Sequence, residues 1–126
     1  MVDIAVPISN FPKLVAYCQA QSEDYGFDAR LIGHAGDGNV HCGLHFAPTD
    51  TASQARAVEL GQVMVMKALE LEGTCTGEHG VGIGKQKYML TEHGAGAIQV
   101  MRTLKQALDP LNILNPGKVL PVSNEE

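Results

Sequence analysis

Among the residues of this chain that are of types able to bind metal ions or move protons, four stand out: His34, His41, Glu78 and His79. Two imidazoles and one carboxylate, with a fourth position left open, make a common catalytic zinc set. The same set holds Mn²⁺ or Fe²⁺, since ligand type alone does not choose the ion. His34 and His41 flank Asp37-Gly38. That dipeptide is a strong signal for a two-residue hairpin turn, because such a turn needs positive φ and Gly supplies it freely. A turn centred there sets His34 directly across from His41, with Cβ atoms about 5 Å apart. Two imidazoles at that separation can share one ion.

The same register sorts the faces of the hairpin. Arg30, Ile32, His34 and Gly36 face one way with His45, Gly43, His41 and Asn39. Ala29, Leu31, Gly33 and Ala35 face the other way with Phe46, Leu44, Cys42 and Val40. One face is largely polar and the other apolar and small, the alternation of a half-buried antiparallel sheet. A slip of one residue would bury the histidines and expose Leu44 and Phe46, so the register is well specified. Glu78-His79 comes from a distant loop, just past a predicted strand end of the same sheet. Plainer readings stand beside this one. A solitary His is more often a hydrogen-bonded surface residue than a ligand, and that reading is preferred for His45 and His93. Spacing alone leaves His34 and His41 open between ligands and ordinary sheet residues, and Glu78 open between a ligand and a solvated carboxylate. Asp37 and Asn39 read as turn formers, and Lys85 and Lys87 as solvent-facing charges.

Several elements must position these residues. Val2 to Ile8 reads as a strand ending near Pro7, which cannot donate to a ladder. Ser9 or Asn10 is placed to cap a helix with Pro12 in its first turn. Its apolar face is Leu14, Val15, Cys18 and Ala20, and Gly26 suits its end. Phe27 to Gly36 and Gly38 to Phe46 are the hairpin arms. Thr51-x-x-Gln54 has the form of a capping box before a long helix to about Glu72, with Ala55, Val58, Val63, Met66 and Leu69 in its apolar stripe. Met64 and Met66 are read as core fillers rather than cofactor contacts. Gly73 to Glu78 is a short β-like run entering a Gly-rich loop, Gly77 to Gly84, that matches neither a dinucleotide fingerprint nor a P-loop. Thr91 is placed to cap a last helix carrying Ile98, Met101, Leu104 and Leu108 and stopping at Pro110. Asn115-Pro116-Gly117-Lys118 reads as a type II turn, and Ser123 to Glu126 as frayed. The order predicts an α+β fold: a ferredoxin-like β-α-β-β-α-β antiparallel sheet with a C-terminal helix.

Composition narrows the partners. A chain of 126 residues with 44% hydrophobic residues suits one domain with a real core. A net charge of −5 and no basic run make nucleic acid and anionic membrane poor partners. Three widely spaced cysteines with no C-x-x-C favour reduced thiols in a cytoplasmic-type compartment. No apolar run approaches the ~18 residues of a transmembrane segment, and Met1 to Ile8 lacks the basic start of a signal peptide.

Three stretches then carry a resemblance. Gly33-His34-Ala35-Gly36-Asp37-Gly38-Asn39-Val40-His41, Thr76-Gly77-Glu78-His79-Gly80-Val81-Gly82 and Leu114-Asn115-Pro116-Gly117-Lys118-Val119-Leu120-Pro121 resemble the C-terminal domain of the FAD-linked oxidases. That family includes D-lactate dehydrogenase, the glycolate oxidase FAD subunit and D-2-hydroxyglutarate dehydrogenase. The resemblance covers nearly the whole chain but only the last part of a family member. It implies that His34, His41 and Glu78 are metal ligands, zinc foremost, that His79 is the catalytic base, and that Asn115 lies near the flavin. It also implies a separate FAD-binding domain, absent from this chain, that holds most of the FAD. The substrate-carboxylate-binding Arg, Thr and Lys of the family would lie upstream of Met1. Two positions depart from the pattern. Gly43 stands where some members have a substrate-touching Asn, and Asn112 where many have Gly, Asn being the next best residue for positive φ.

The expected activity is therefore oxidation of a 2-hydroxy acid to a 2-oxo acid with hydride transfer to FAD. The 126-residue piece alone is expected to fold, to be inactive, to hold no flavin, and to expose an apolar patch through which it self-associates. Two other readings compete: a zinc hydrolase using the same ligands, which leaves the N-P-G-K motif without a task, and a non-catalytic ferredoxin-like metal-binding or regulatory module.

Overall fold

In the computed structural model, which describes residues 1–121, the apolar alternation of Val2-Asp3-Ile4-Ala5 becomes the first strand, β1 (Val2–Ala5). The expected frayed end, 123–126, lies outside the described residues. A 3-10 turn (Ile8–Asn10) leads into α1 (Phe11–Asp24), followed by β2 (Ala29–His34), β3 (Asn39–Leu44), α2 (Thr51–Glu70) and α3 (Gln86–Leu108). The chain divides into two units, Met1–His79 and Gly80–Glu126.

The first unit is a three-stranded antiparallel sheet in the order β1-β3-β2. β1 and β2 are joined through α1 and flank β3, the split β-α-β arrangement expected of a ferredoxin-like α+β fold. The expected fourth strand over 73–78 is reduced to one antiparallel bridge, Ala5 with Thr74, on the free edge of β1. Gly73 explains the close approach: a Cβ there would lie 2.1 Å from the Ala5 carbonyl oxygen. Val2, Ile4, Val40 and Cys42 share the buried face of the sheet. Against it pack α1, through Leu14, Cys18 and Ser22, and α2, through Leu60, Met64, Val65 and Ala68.

Several details differ from the sequence pattern. The hairpin register is displaced by two residues: His34 pairs with Asn39 and His41 with Ile32, and residues 35–38 form the loop. The cause is Gly38, whose carbonyl accepts from Val6 N at 3.0 Å and whose missing Cβ leaves room for Val6 O. Gly38 is thus tied to the chain beyond β1 and does not serve a two-residue turn. A displacement of two keeps every side chain on its face. In α1, the Asn10 side chain donates to Leu71 O at 3.0 Å instead of capping its own helix. In α2, the cap is Asp50, accepting from Ser53 N, and not Thr51. The buried stripe of α2 is rotated from the expected one: Val58 and Met66 are exposed, while Met64 is fully buried.

The second unit begins its helix earlier than Thr91, at Gln86, and kinks at Gly94, where φ is 76°. Ile98 is buried, whereas Leu104 and Leu108 are exposed. Asp109 ends α3 and accepts from Ile113 N and Leu114 N, both at 3.0 Å, while Lys105 pairs with it. Asn112 takes positive φ (50°), a conformation that Asn tolerates better than most residues other than Gly. Gly117 has φ 70° and Lys118 N donates to Asn115 O at 3.3 Å, the turn expected over 115–118. Gln86 and Arg102 hold the carbonyls of Gly117 and Pro121.

Candidate metal and proton-transfer site

The sheet face away from the helices carries the polar residues in two rows. Asp3, His41 and Ile32 lie side by side across the three strands, and Ala5, Asn39 and His34 form the next row. His34 and His41 are therefore diagonal neighbours, not opposed ones. Their rings still meet edge to face with centroids 5.5 Å apart.

The segment after the Thr74 bridge carries Glu78 and His79 to this face. Glu78 N and His79 N donate to Asp3 Oδ2 at 3.0 and 2.9 Å, and Thr76 Oγ1 reaches the same oxygen at 3.3 Å. Asn39 Nδ2 donates to Asp3 Oδ1 at 2.9 Å. Gly77 is required by this crowding, since a Cβ on it would lie 1.8 Å from Asn39 Nδ2 and 2.6 Å from Asp3 Oδ1. Asp3 is buried. Burial alone would raise its pKa, but the backbone donor of His79, the Asn39 amide and the Glu78 donor outweigh it and hold the carboxyl at about 2.

Glu78 Oε1 ends 3.0 Å from His41 Nε2 and 3.5 Å from His34 Nε2. One donor atom from each of these three residues lies within 4.8 Å of the others. The donor set suits a divalent cation: two imidazole nitrogens and a carboxylate oxygen, with His34 and Glu78 half exposed to leave an approach from solvent. On the far side of the His41 ring, Nδ1 is buried, has no hydrogen-bond partner among the described residues, and faces Asp3 Oδ1 at 3.4 Å. His79 stacks on His41 with centroids 5.0 Å apart, its Nε2 3.8 Å from Glu78 Oε1 and its Nδ1 4.0 Å from Asp3 Oδ2. Asp3, His41 and His79 also bring three donor atoms within 4.8 Å, but the Asp3 oxygens already serve the N–H donors.

The structure thus brings His34, His41, Glu78 and His79 together within the first unit. Asn115 belongs to the second, in its own turn, beside a recess of about 270 Å³ lined also by Met101, Lys118 and Leu120. His45 and His93 are exposed, as ordinary surface histidines are, and His93 lies 3.6 Å from Glu92. Gly43 pairs with Arg30 on the polar face. Asp3 and Asn39 were missed as site residues. The signal for Asp3 was its parity: a carboxylate alternating with Val2 and Ile4 must point away from the core, and in a split β-α-β sheet that face is the histidines' face.

Residues 1–119 match the family model for FAD linked oxidases, C-terminal domain. The chain is 41% identical over 121 residues to a mitochondrial D-lactate dehydrogenase [cytochrome] of Arabidopsis thaliana, covering 96% of this chain and 21% of that protein. It is 39% identical to the glycolate oxidase subunit GlcD of Bacillus subtilis, covering 93% of this chain and 25% of that protein. It is 35% identical to a D-2-hydroxyglutarate dehydrogenase of Xanthomonas citri, covering 93% and 26%. The chain spans about a quarter of the length of these relatives. The family model and these relatives agree, and the chain belongs to the family of FAD linked oxidase C-terminal domains.

Proposed function

We propose that this chain is the metal- and substrate-side part of a flavin-dependent dehydrogenase or oxidase of 2-hydroxy acids, of the D-lactate or glycolate class. The FAD is held mainly by a preceding domain, and Asn115 lies near it. The observation that carries the reading is the convergence of His34 Nε2 and His41 Nε2 on Glu78 Oε1, with His79 stacked alongside. The names of the relatives support the substrate class.

Oxidation of a 2-hydroxy acid removes a proton from O–H and a hydride from the adjacent carbon, leaving a 2-oxo acid. His34, His41 and Glu78 would hold the ion, zinc foremost, which when bound lowers the hydroxyl's pKa and fixes its orientation. His79 takes the proton. Its Nε2 lies on the side of the metal-ligating Glu78, 3.8 Å from Oε1, and its Nδ1 on the side of the buried Asp3, so Nε2 is the nitrogen placed to receive it. A bound flavin would supply the acceptor for the hydride. Glu78 and His79 are neighbours on one short segment, so the ligand and the base are placed by the same backbone contacts.

The exposed Val100, Leu104 and Leu108 lie at helical spacing on α3, with the exposed Leu111 just past its end, and are where we place the packing of the flavin domain, or self-association in its absence. Among the described residues no helix is long and apolar enough to cross a membrane. Three buried cysteines, none in a disulfide, suit a reducing, cytoplasmic-type compartment.

The test uses the full-length protein that contains this chain. Anaerobic mixing with glycolate, D-lactate or D-2-hydroxyglutarate should bleach the flavin absorbance with at least one of them. Glu78→Ala should abolish that bleaching and lower the metal content. Failure of all three acids to reduce the flavin of metal-loaded protein overturns the reading.

A further inference from the structure

We propose that Asp3 is the positioning residue of this site, orienting the His41 ring through Nδ1 while fixing the Glu78-His79 segment through its backbone. The proposal deepens the reading of His34, His41 and Glu78 as metal ligands and rests on it for the effect on affinity.

Asp3 and His41 are paired across β1 and β3, so their side chains leave the same face of the sheet side by side. Asp3 divides its two oxygens between two tasks. Oδ1 faces His41 Nδ1 at 3.4 Å and accepts from Asn39. Oδ2 accepts from the backbone of Glu78 and His79 and faces His79 Nδ1. Both members of the distant segment are thereby registered against His41 by one carboxylate. His41 Nδ1 is a buried ring nitrogen with no other polar partner among the described residues. A proton on Nδ1 sits on the Asp3 side of the ring, 3.4 Å from Oδ1, and leaves the Nε2 lone pair on the Glu78 side, where a cation would be held. A carboxylate behind a ligating imidazole fixes the tautomer and ring orientation and raises ligand basicity, and losing such a partner typically costs about 10–100-fold in metal affinity. Anchoring the loop uses Oδ2 and holding Asn39 uses Oδ1; neither task requires Oδ1 to lie 3.4 Å from a buried imidazole nitrogen that has no other polar partner among the described residues.

The test uses the 126-residue chain in three forms: wild type, Asp3→Asn and Thr76→Val. Thr76→Val removes one loop contact of Asp3 but none to His41. Nitrogen NMR of the metal-free chain at pH about 8.5, where an ordinary histidine is neutral, reads the His41 tautomer. Cobalt(II) titration reads affinity through the d–d spectrum. Wild-type His41 should carry its proton on Nδ1. Asp3→Asn should shift it to a mixture with Nε2 and weaken cobalt binding by about 10–100-fold. Thr76→Val should leave the tautomer unchanged. A wild-type His41 protonated on Nε2 overturns the proposal without any variant having to fold. So does an Asp3→Asn chain with the wild-type tautomer and cobalt affinity. A wild-type chain that binds no cobalt, yet shows the Nδ1 proton and loses it in Asp3→Asn, overturns the metal reading and leaves the placement of His41 by Asp3 standing.

Discussion

His79 lies flat against His41, ring centroids 5.0 Å apart and planes 18° from parallel. The ring assigned to proton transfer is therefore braced by a ring assigned to the metal, while its own edge nitrogens are 3.8 Å or more from the nearest carboxylates. Removing it takes away a base without removing a ligand atom. His79→Ala in the full-length enzyme should lower kcat by about 10²–10⁴-fold, the usual worth of a positioned general base. Metal content, measured by elemental analysis, should stay at the wild-type level. A collapse of metal content with unchanged turnover per bound ion would make His79 a ligand instead.

Much of that arrangement could be read from the chain. Parity put His34 and His41 on one face whichever of the two registers applied, because a displacement of two residues preserves it. What could not be read was the register itself. The carbonyl of Gly38 is engaged by Val6, a contact between segments far apart in sequence, and no local turn rule contains it. The same holds for the fourth strand: 73–78 has β-like composition, but its donors at Glu78 and His79 go to the Asp3 carboxylate and not to a ladder. Helix faces were read less well than strand faces. The apolar residues of α2 cover more than one side, and only the packing of Leu60, Met64 and Ala68 selects which side is buried.

Gly77→Ala should damage the site from inside its support. The new methyl group would meet the Asn39 amide and the Asp3 carboxylate, neither of which can retreat without breaking its hydrogen bond. Overpacking of this kind costs about 1–3 kcal/mol, and urea titration of the chain should show that loss. Metal binding should weaken as well, because the intruding methyl pushes Glu78 away from His41. Gly84→Ala, where nothing lies within 4 Å of the added methyl, is the control and should change neither.

Acid should weaken both units through different carboxylates. Asp3 has its pKa lowered from 3.8 to about 2 in the folded chain. A depressed folded value means a stabilising contribution fully present above the unfolded pKa and lost as pH falls through the folded one. Stability of metal-free Met1–His79 should therefore decline as pH drops from about 4 toward 2, and Asp3→Asn should flatten that decline. Asp109 is shifted the same way, chiefly by its hydrogen bond with Lys105, against a smaller opposing effect of burial, with Leu114 N and Ile113 N adding to it. Amide exchange of Ile113 and Leu114 should accelerate as pH falls below the ordinary carboxylate range, relative to the intrinsic rate. Asp109→Asn should remove that pH dependence.

The thiols offer a readout of the core that is independent of the site. Cys18, Cys42 and Cys75 are all buried and outside any disulfide. Burial, with the neighbouring Cys42, pushes the Cys18 thiol up to about 12, and burial also raises Cys42. The thiolate is the reactive form, so at pH about 8 these sulfurs react with an aromatic disulfide reagent only when the chain opens. Three slow equivalents should be measured in the native chain and three fast ones in denaturant. Leu60→Ala, which deletes a fully buried side chain where α2 packs on the sheet, should destabilise by about 2–5 kcal/mol. The rate of Cys18 and Cys42 modification should rise in proportion to the opened population. Fast reaction of either thiol in the native wild-type chain would place it at the surface and contradict the packing of α1 against β3.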